Sequence, residues 1–124
     1  MAQSLCILIT QPPHGSLWAA EGLRLASGSQ AYGLVTTVCL LGDAVWVAKK
    51  GQRTEGTPWA SLLQAIATLQ SLARIGPSSL RILATQEDLE ERGLAAHDLS
   101  PGVETAAEEE LTEVVGRHDA VVCF

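Results

Sequence analysis

Residues 4–10 of this chain form a run that is apolar throughout Leu5-Cys6-Ile7-Leu8-Ile9, ends in Thr10 and is closed by Gln11-Pro12-Pro13. A short apolar run bounded by turn residues reads as a strand buried on both faces. The paired prolines stop it, and Gly15-Ser16 can open a helix with Ser16 as N-cap. Leu17, Trp18, Ala20, Leu23, Leu25 and Ala26 then recur at helical spacing, to about Ser29. Gly33 marks a turn. Residues 34–41, rich in Val and Thr, read as a second strand with two apolar faces.

Gly42-Asp43 ends that strand, and residues 44–49 read as a short helix burying Val45, Trp46 and Val47. A polar loop over 50–56 leads to Thr57-Pro58, a threonine cap followed by proline at the first helical position. That helix is expected to reach about Arg74 and stop before Gly76-Pro77. A third strand follows at 80–84. Thr85-Gln86-Glu87-Asp88 opens a short helix ending at Gly93, with Thr85 as its cap. A fourth short strand is expected at 102–104. Thr105-Ala106-Ala107-Glu108 has the capping-box pattern of a helix running to about Gly116, and 119–124 is a last strand.

Strands alternating with helices predict the α/β class: a single three-layer α/β/α domain over residues 1–124, with a mostly parallel five-stranded sheet. In such a sheet the segments after Thr10, Leu41 and Ala84 emerge together at the carboxyl edge, where open α/β folds place their sites.

Composition narrows the function. The chain has 124 residues, is 47% hydrophobic and carries a net charge of −6, which places it among globular proteins. Its eight Lys and Arg form no basic stripe, so direct nucleic-acid binding and anionic-membrane binding are not expected. The acidic run Glu108-Glu109-Glu110 reads as a solvated helix start. Three cysteines at unrelated spacings make neither a disulfide framework nor a zinc site. No cofactor is expected, because no Gly-x-Gly-x-x-Gly, phosphate loop or Gly-x-Ser-x-Gly elbow occurs. The start Met1-Ala2-Gln3-Ser4 has no basic leader, and a reducing cytoplasm is the expected compartment.

The residues open to chemistry are few. His14-Gly15-Ser16 lies at a predicted helix start, which could hold an anion with His14 as proton shuttle; turn-shaping is the commoner use. Asp43 could orient a donor or simply cap the next segment. Thr85, followed by Gln86, sits where a strand becomes a helix. A cysteine there would be an activated nucleophile, but a threonine hydroxyl needs a dedicated base, and none is evident. Together His14, Gly15, Ser16, Asp43, Thr85 and Gln86 are the expected pocket. Of Trp18, Trp46 and Trp59, Trp46 is the expected interface residue, because it stands beside a loop. Cys6, Cys39 and Cys123 all lie in strand-like runs and read as small buried hydrophobes.

Several segments, in order, resemble the DsrF/TusC branch of the DsrE/DsrF-like sulfur-relay proteins. Thr10-Gln11-Pro12-Pro13-His14-Gly15 with Glu21-Gly22-Leu23 is similar to that branch's first loop and helix. Leu41-Gly42-Asp43-Ala44-Val45 and Lys50-Gly51-Gln52 resemble its second loop, Leu89 to Leu94 its Arg-Gly-Leu helix end, and His118 to Phe124 its closing strand. Gln86-Glu87-Asp88-Leu89 is also like the DsrH/TusB side. The resemblance implies the three-layer fold and a heteromeric complex with DsrE/TusD-like and DsrH/TusB-like subunits. That complex relays persulfide sulfur toward tRNA wobble-uridine thiolation or in cytoplasmic sulfur oxidation. In sulfur-carrying members a cysteine heads the helix that ends in Arg-Gly-Leu; here that column holds Thr85.

The expectation is therefore an auxiliary subunit, not an enzyme on its own, that docks against a cysteine-bearing partner. Two alternatives stay open. One is a sulfurtransferase using a different thiol, with Cys123 the best placed. The other is a self-associating module that binds a small anion at His14-Gly15-Ser16.

Overall fold

The computed structural model describes residues 3–54, 61–75 and 79–124. Five strands form its sheet: β1 (Ser4–Ile9), β2 (Val35–Leu40), β3 (Leu80–Thr85), β4 (Glu104–Ala106) and β5 (Ala120–Cys123). The helices are α1 (Trp18–Ala31), α2 (Leu62–Ile75), α3 (Gln86–Glu91) and α4 (Glu108–Gly116), with a 3₁₀ helix at Gly42–Ala48 and a 3₁₀ turn at Ala96–Asp98. The pairings among these five strands are all parallel, and the strand order is β4-β3-β2-β1-β5.

That order explains how the helices are shared between the faces. From β1 to β4 the chain steps one strand at a time in one direction; from β4 it returns across the whole sheet to reach β5. Parallel crossovers keep one hand, so reversing direction changes the face that the connection covers. Accordingly α1 and α2 pack on one face through Ala19, Leu23, Ala26, Leu62, Ile66 and Leu69, against Ile7, Ile9, Val38, Leu40 and Ile82. On the other face α4 sets Leu111 and Val114 against Cys6, Cys39, Leu83 and Ala106. The first core is much the larger. Each of its fully buried Ile, Leu and Val side chains contributes about 2 kcal/mol by leaving water.

Close approach fixes α1 on β1. A Cβ added at Gly22 would stand 2.7 Å from Ile9 Cδ1, so the Glu21-Gly22-Leu23 segment needs its glycine to let the helix settle. The Arg92-Gly93-Leu94 segment ends α3 in the same physical sense. Gly93 has φ +69°, its N–H reaches Glu90 O at 3.1 Å and the Leu94 N–H reaches Leu89 O at 2.9 Å. This is a Schellman cap, and it delivers Leu94 to the core. Gln52 likewise closes the turn before it, its amide donating to the carbonyls of Trp46 and Lys49 at 2.6 and 2.8 Å.

Several local expectations shift. Ser16 does not cap α1, which starts at Trp18 with Leu17 in the cap position and no side-chain cap bond. The fourth strand begins later than expected and takes up Thr105, so the capping box there does not form; Ala107 precedes α4 instead. The expected helix start at Thr57-Pro58 lies outside the described residues, and α2 is described from Leu62.

Candidate functional site

Because all strands run the same way, the ends of β1, β2 and β3 meet at one edge, beside the starts of α3 and α4. A cavity of about 340 Å³ opens there on the α4 side. Leu8, Cys39, Leu41 and the buried Thr85 line it from the sheet and form its floor, Leu111, Thr112 and Val115 form the α4 wall, and exposed Glu87 and Glu108 with half-buried Asp88 stand at the mouth. The register accounts for the floor. Leu8 pairs with Cys39 and Cys39 with Leu83, so they form one row across the sheet, one step below Leu41 and Thr85.

Thr85 is 2% exposed. Its hydroxyl does not cap α3; it donates to the Leu40 carbonyl at 3.2 Å and so ties β3 to the end of β2. Beside it, Asp88 accepts the Gly42 N–H at 2.8 Å and stands 3.8 Å from Arg92 Nη1. Gly42 makes that bond from φ +56°, a conformation that disfavours side-chain-bearing residues. Arg92 also reaches Asp43 Oδ1 from Nη2 at 2.9 Å and from Nε at 3.1 Å. Asp43 is thus half of a brace between the 3₁₀ helix and α3. Glu87 accepts the Glu108 N–H with its two oxygens at 3.0 and 3.1 Å, which joins α3 to α4.

The expected pocket residues do not share one cavity. Thr85 lines the one just described. His14 lies at a separate small cleft with Pro13, Gln52, Thr54 and Ser61. Gly15 is an exposed turn at φ +95°, and Ser16 is half-buried with its hydroxyl oxygen unbonded among the described residues. Gln86 is exposed, donates to Glu90 Oε1 at 3.2 Å and faces a different hollow with Leu89 and Thr105. The residues that sequence reasoning missed, Leu8, Cys39, Glu87, Glu108 and Leu111, come together only through strand order and crossover, which leave no local signal.

The thiols divide into two kinds. Cys6 and Cys39 are buried, with sulfurs 3.9 Å apart on neighbouring strands. The hydrogen bond to Cys6 and burial both push the Cys39 thiol up, away from reactivity. Cys123 is exposed, contrary to the expectation of a buried strand residue, because β5 is an edge strand and α4 does not reach across it.

The tryptophans also differ from expectation. Trp46 is half-buried and packs against the main core, whereas Trp18 is 57% exposed. Trp18 leans on Phe124, ring centroids 6.3 Å apart. With exposed Leu17, Val121 and Val122 this makes an apolar margin along α1 and β5. Trp59 lies outside the described residues. Among the described residues no group of His, Cys, Asp and Glu could hold a metal ion, and no helix is long and apolar enough to cross a membrane.

The model of the DsrE/DsrF-like family matches residues 3–124. The chain belongs to the DsrE/DsrF-like family. Among its relatives is a TusC homolog of Pseudomonas aeruginosa, 31% identical over 98% of each chain. An uncharacterized protein of Methanocaldococcus jannaschii is 30% identical over 95% of this chain and 96% of its own. The crystal structure of the YchN protein of E. coli superposes with a TM-score of 0.84 at 22% identity, covering 98% of this chain and 99% of that one. The DsrE/DsrF-like fold is therefore shown, and the TusC homolog agrees with the branch that the motifs resemble.

Proposed function

We propose that this DsrE/DsrF-like chain is an auxiliary subunit of a sulfur-relay assembly of the DsrEFH/TusBCD kind, and that it supports persulfide transfer without carrying the sulfur. The observation that carries this reading is Thr85. Where sulfur-carrying members place a cysteine, this chain has a buried hydroxyl bonded to a backbone carbonyl. An alcohol needs a base to become a nucleophile. The α3 carboxylates that line the same cavity are engaged structurally, Glu87 on the Glu108 N–H and Asp88 on the Gly42 N–H. The apolar margin of Trp18, Val121 and Val122 supports a docking role, since unpaired strand edges and exposed aromatic residues favour association. Partners in this reading are DsrE/TusD-like and DsrH/TusB-like subunits in the cytoplasm. The test is co-purification from the source organism with a cysteine-bearing DsrE/TusD-like protein. Recovery of the chain alone, with that protein present and under mild conditions, overturns the reading.

A second reading has one observation in its favour: Cys123 is exposed. As a sulfurtransferase, the chain would gain a sulfur adduct on Cys123 when incubated with a persulfide donor, seen by intact mass. No adduct on any cysteine overturns it.

A further inference from the structure

The cavity beside Thr85 is apolar within and acidic at its mouth, and the acidity there exceeds what the fold uses. Asp88 has Arg92 as a partner, but Glu87 and Glu108 have no ion pair with a Lys or Arg among the described residues. The start of α4 calls for some negative charge, since a helix N-terminus carries the equivalent of about half a positive charge. Against that stand the carboxylates of Glu87, Glu108 and Glu109, while Glu110 is faced by Arg81, so a negative surplus remains.

We propose that this cavity receives a lysine side chain of a partner protein, its methylene stem against Leu8, Leu41 and Leu111 and its ammonium between Glu87 and Glu108. The proposal rests on the reading of the chain as a subunit and adds the chemistry of what it docks. Three arguments select this occupant. An anion would meet like charge at the mouth and be repelled. A neutral apolar group would fill the floor but strip water from carboxylates left without a partner. A cation on an aliphatic stem satisfies both halves of the site, as long basic side chains do elsewhere. The two carboxylates come from different elements, and Glu87 already holds a backbone N–H with both oxygens. That arrangement suits a compact ammonium with rotatable donors better than the planar fork of arginine. A partner protein is favoured over a free amine by charge complementarity. Glu109 adds a further carboxylate to the first turn of α4 beside Glu108, on a chain of net charge −6, and such a surface steers a basic one into register.

Two arms test it. In the first, methyl resonances of Leu8, Leu41 and Leu111 in the intact chain are followed during titration with N-acetyl-lysine methylamide and, separately, with its uncharged norleucine counterpart. The lysine amide should bind at least about fivefold more tightly, and Glu108→Gln, Glu87→Gln or added salt should remove the difference. Equal binding of the two amides, or no shift, overturns the proposal. Unchanged methyl spectra in the main core verify that each variant is folded. In the second arm, the complex purified with its partner is treated with a zero-length carboxyl-to-amine cross-linker. Cross-links from Glu87 or Glu108 to a partner lysine support the proposal. A complex that forms but cross-links only through other carboxylates overturns it while leaving the subunit reading intact. Amine binding by a chain that captures no partner overturns the subunit reading and gives the cavity to a free alkylamine.

Discussion

Glu87, on the first turn of α3, accepts the backbone N–H of Glu108 with its two carboxylate oxygens at 3.0 and 3.1 Å. A residue 21 positions upstream thus does for α4 what a local cap would do, since Ala107 has no side-chain acceptor. Glu87→Ala should cost about 1 kcal/mol, the usual value of a lost N-cap. Thermal melting at pH 7 reads this; a melting temperature unchanged from the parent would show that the bond adds no stability. Glu87→Gln, which keeps an acceptor oxygen, should lose less.

Thr85→Val separates structure from chemistry. The substitution removes the hydroxyl that bonds the Leu40 carbonyl and should cost about 1–2 kcal/mol, measurable by denaturant unfolding. If Thr85 takes no part in sulfur transfer, the assembled complex should move persulfide sulfur at an unchanged rate under conditions where the variant is fully folded. A large loss of rate would assign the hydroxyl a chemical role.

Thiol accessibility should follow the burial pattern. In the native protein a disulfide reagent should titrate Cys123 alone, and Cys6 and Cys39 should react only after unfolding. Cys123→Ser should then leave no rapidly reacting thiol. Fast native modification of Cys39 would mean that the cavity opens to its floor.

Association should depend on the apolar margin. Trp18→Asp, at a 57% exposed position, should change unfolding free energy by no more than about 0.5 kcal/mol. It should nevertheless weaken binding to the partner by at least about tenfold, as loss of a hot-spot aromatic does. Trp46→Asp should instead destabilise the fold, since Trp46 packs against the core. Partner binding that survives Trp18→Asp would move the docking surface elsewhere.

Acid should loosen the hold between the start of β1 and the start of β5. Asp119 is held below the ordinary carboxylate range, first by the Gln3 N–H at 2.8 Å and next by the Ser4 side chain. A lowered carboxylate contributes stability above its unfolded value, about 3.9, and loses it as pH falls through its lower folded value. Melting between pH 5 and 2.5 should show this loss, and Asp119→Asn should flatten that part of the profile. An identical acid limb in the variant would show that other groups dominate.

What the sequence made legible was local. The unbroken apolar run at Leu5 to Ile9 and the charge-free, Val- and Thr-rich run at Val35 to Leu40 identify buried parallel strands, because both of their faces are covered. Arg92-Gly93-Leu94 reads as a helix end because the positive φ that the Schellman cap needs is glycine's own. The misread positions each depend on a distant partner. Thr85 bonds a strand end 45 residues away rather than its own helix. Asp43 answers Arg92, 49 residues on. Cys123 has the neighbours of a buried residue in the chain, but β5 lies at the edge of the sheet. Trp18 and Trp46 sit in equally apolar surroundings, and only the direction of each helix's buried face tells them apart.

The pairing of β1 with β5 has a consequence for the order in which the molecule is made. The ladder runs from Leu5 with Ala120 to Leu8 with Cys123 and is extended by bonds from Phe124 N to Leu8 O and from Thr10 N to Phe124 O. The first strand of this domain to be synthesised is therefore joined to its last. Until residues 120–124 emerge, the flank of β1 that faces away from β2 has no strand to pair with, although the other four strands are already synthesised. A nascent chain at that stage presents a bare, apolar strand edge, a template for pairing with another chain. Residues 120–124 act as the latch that withdraws it.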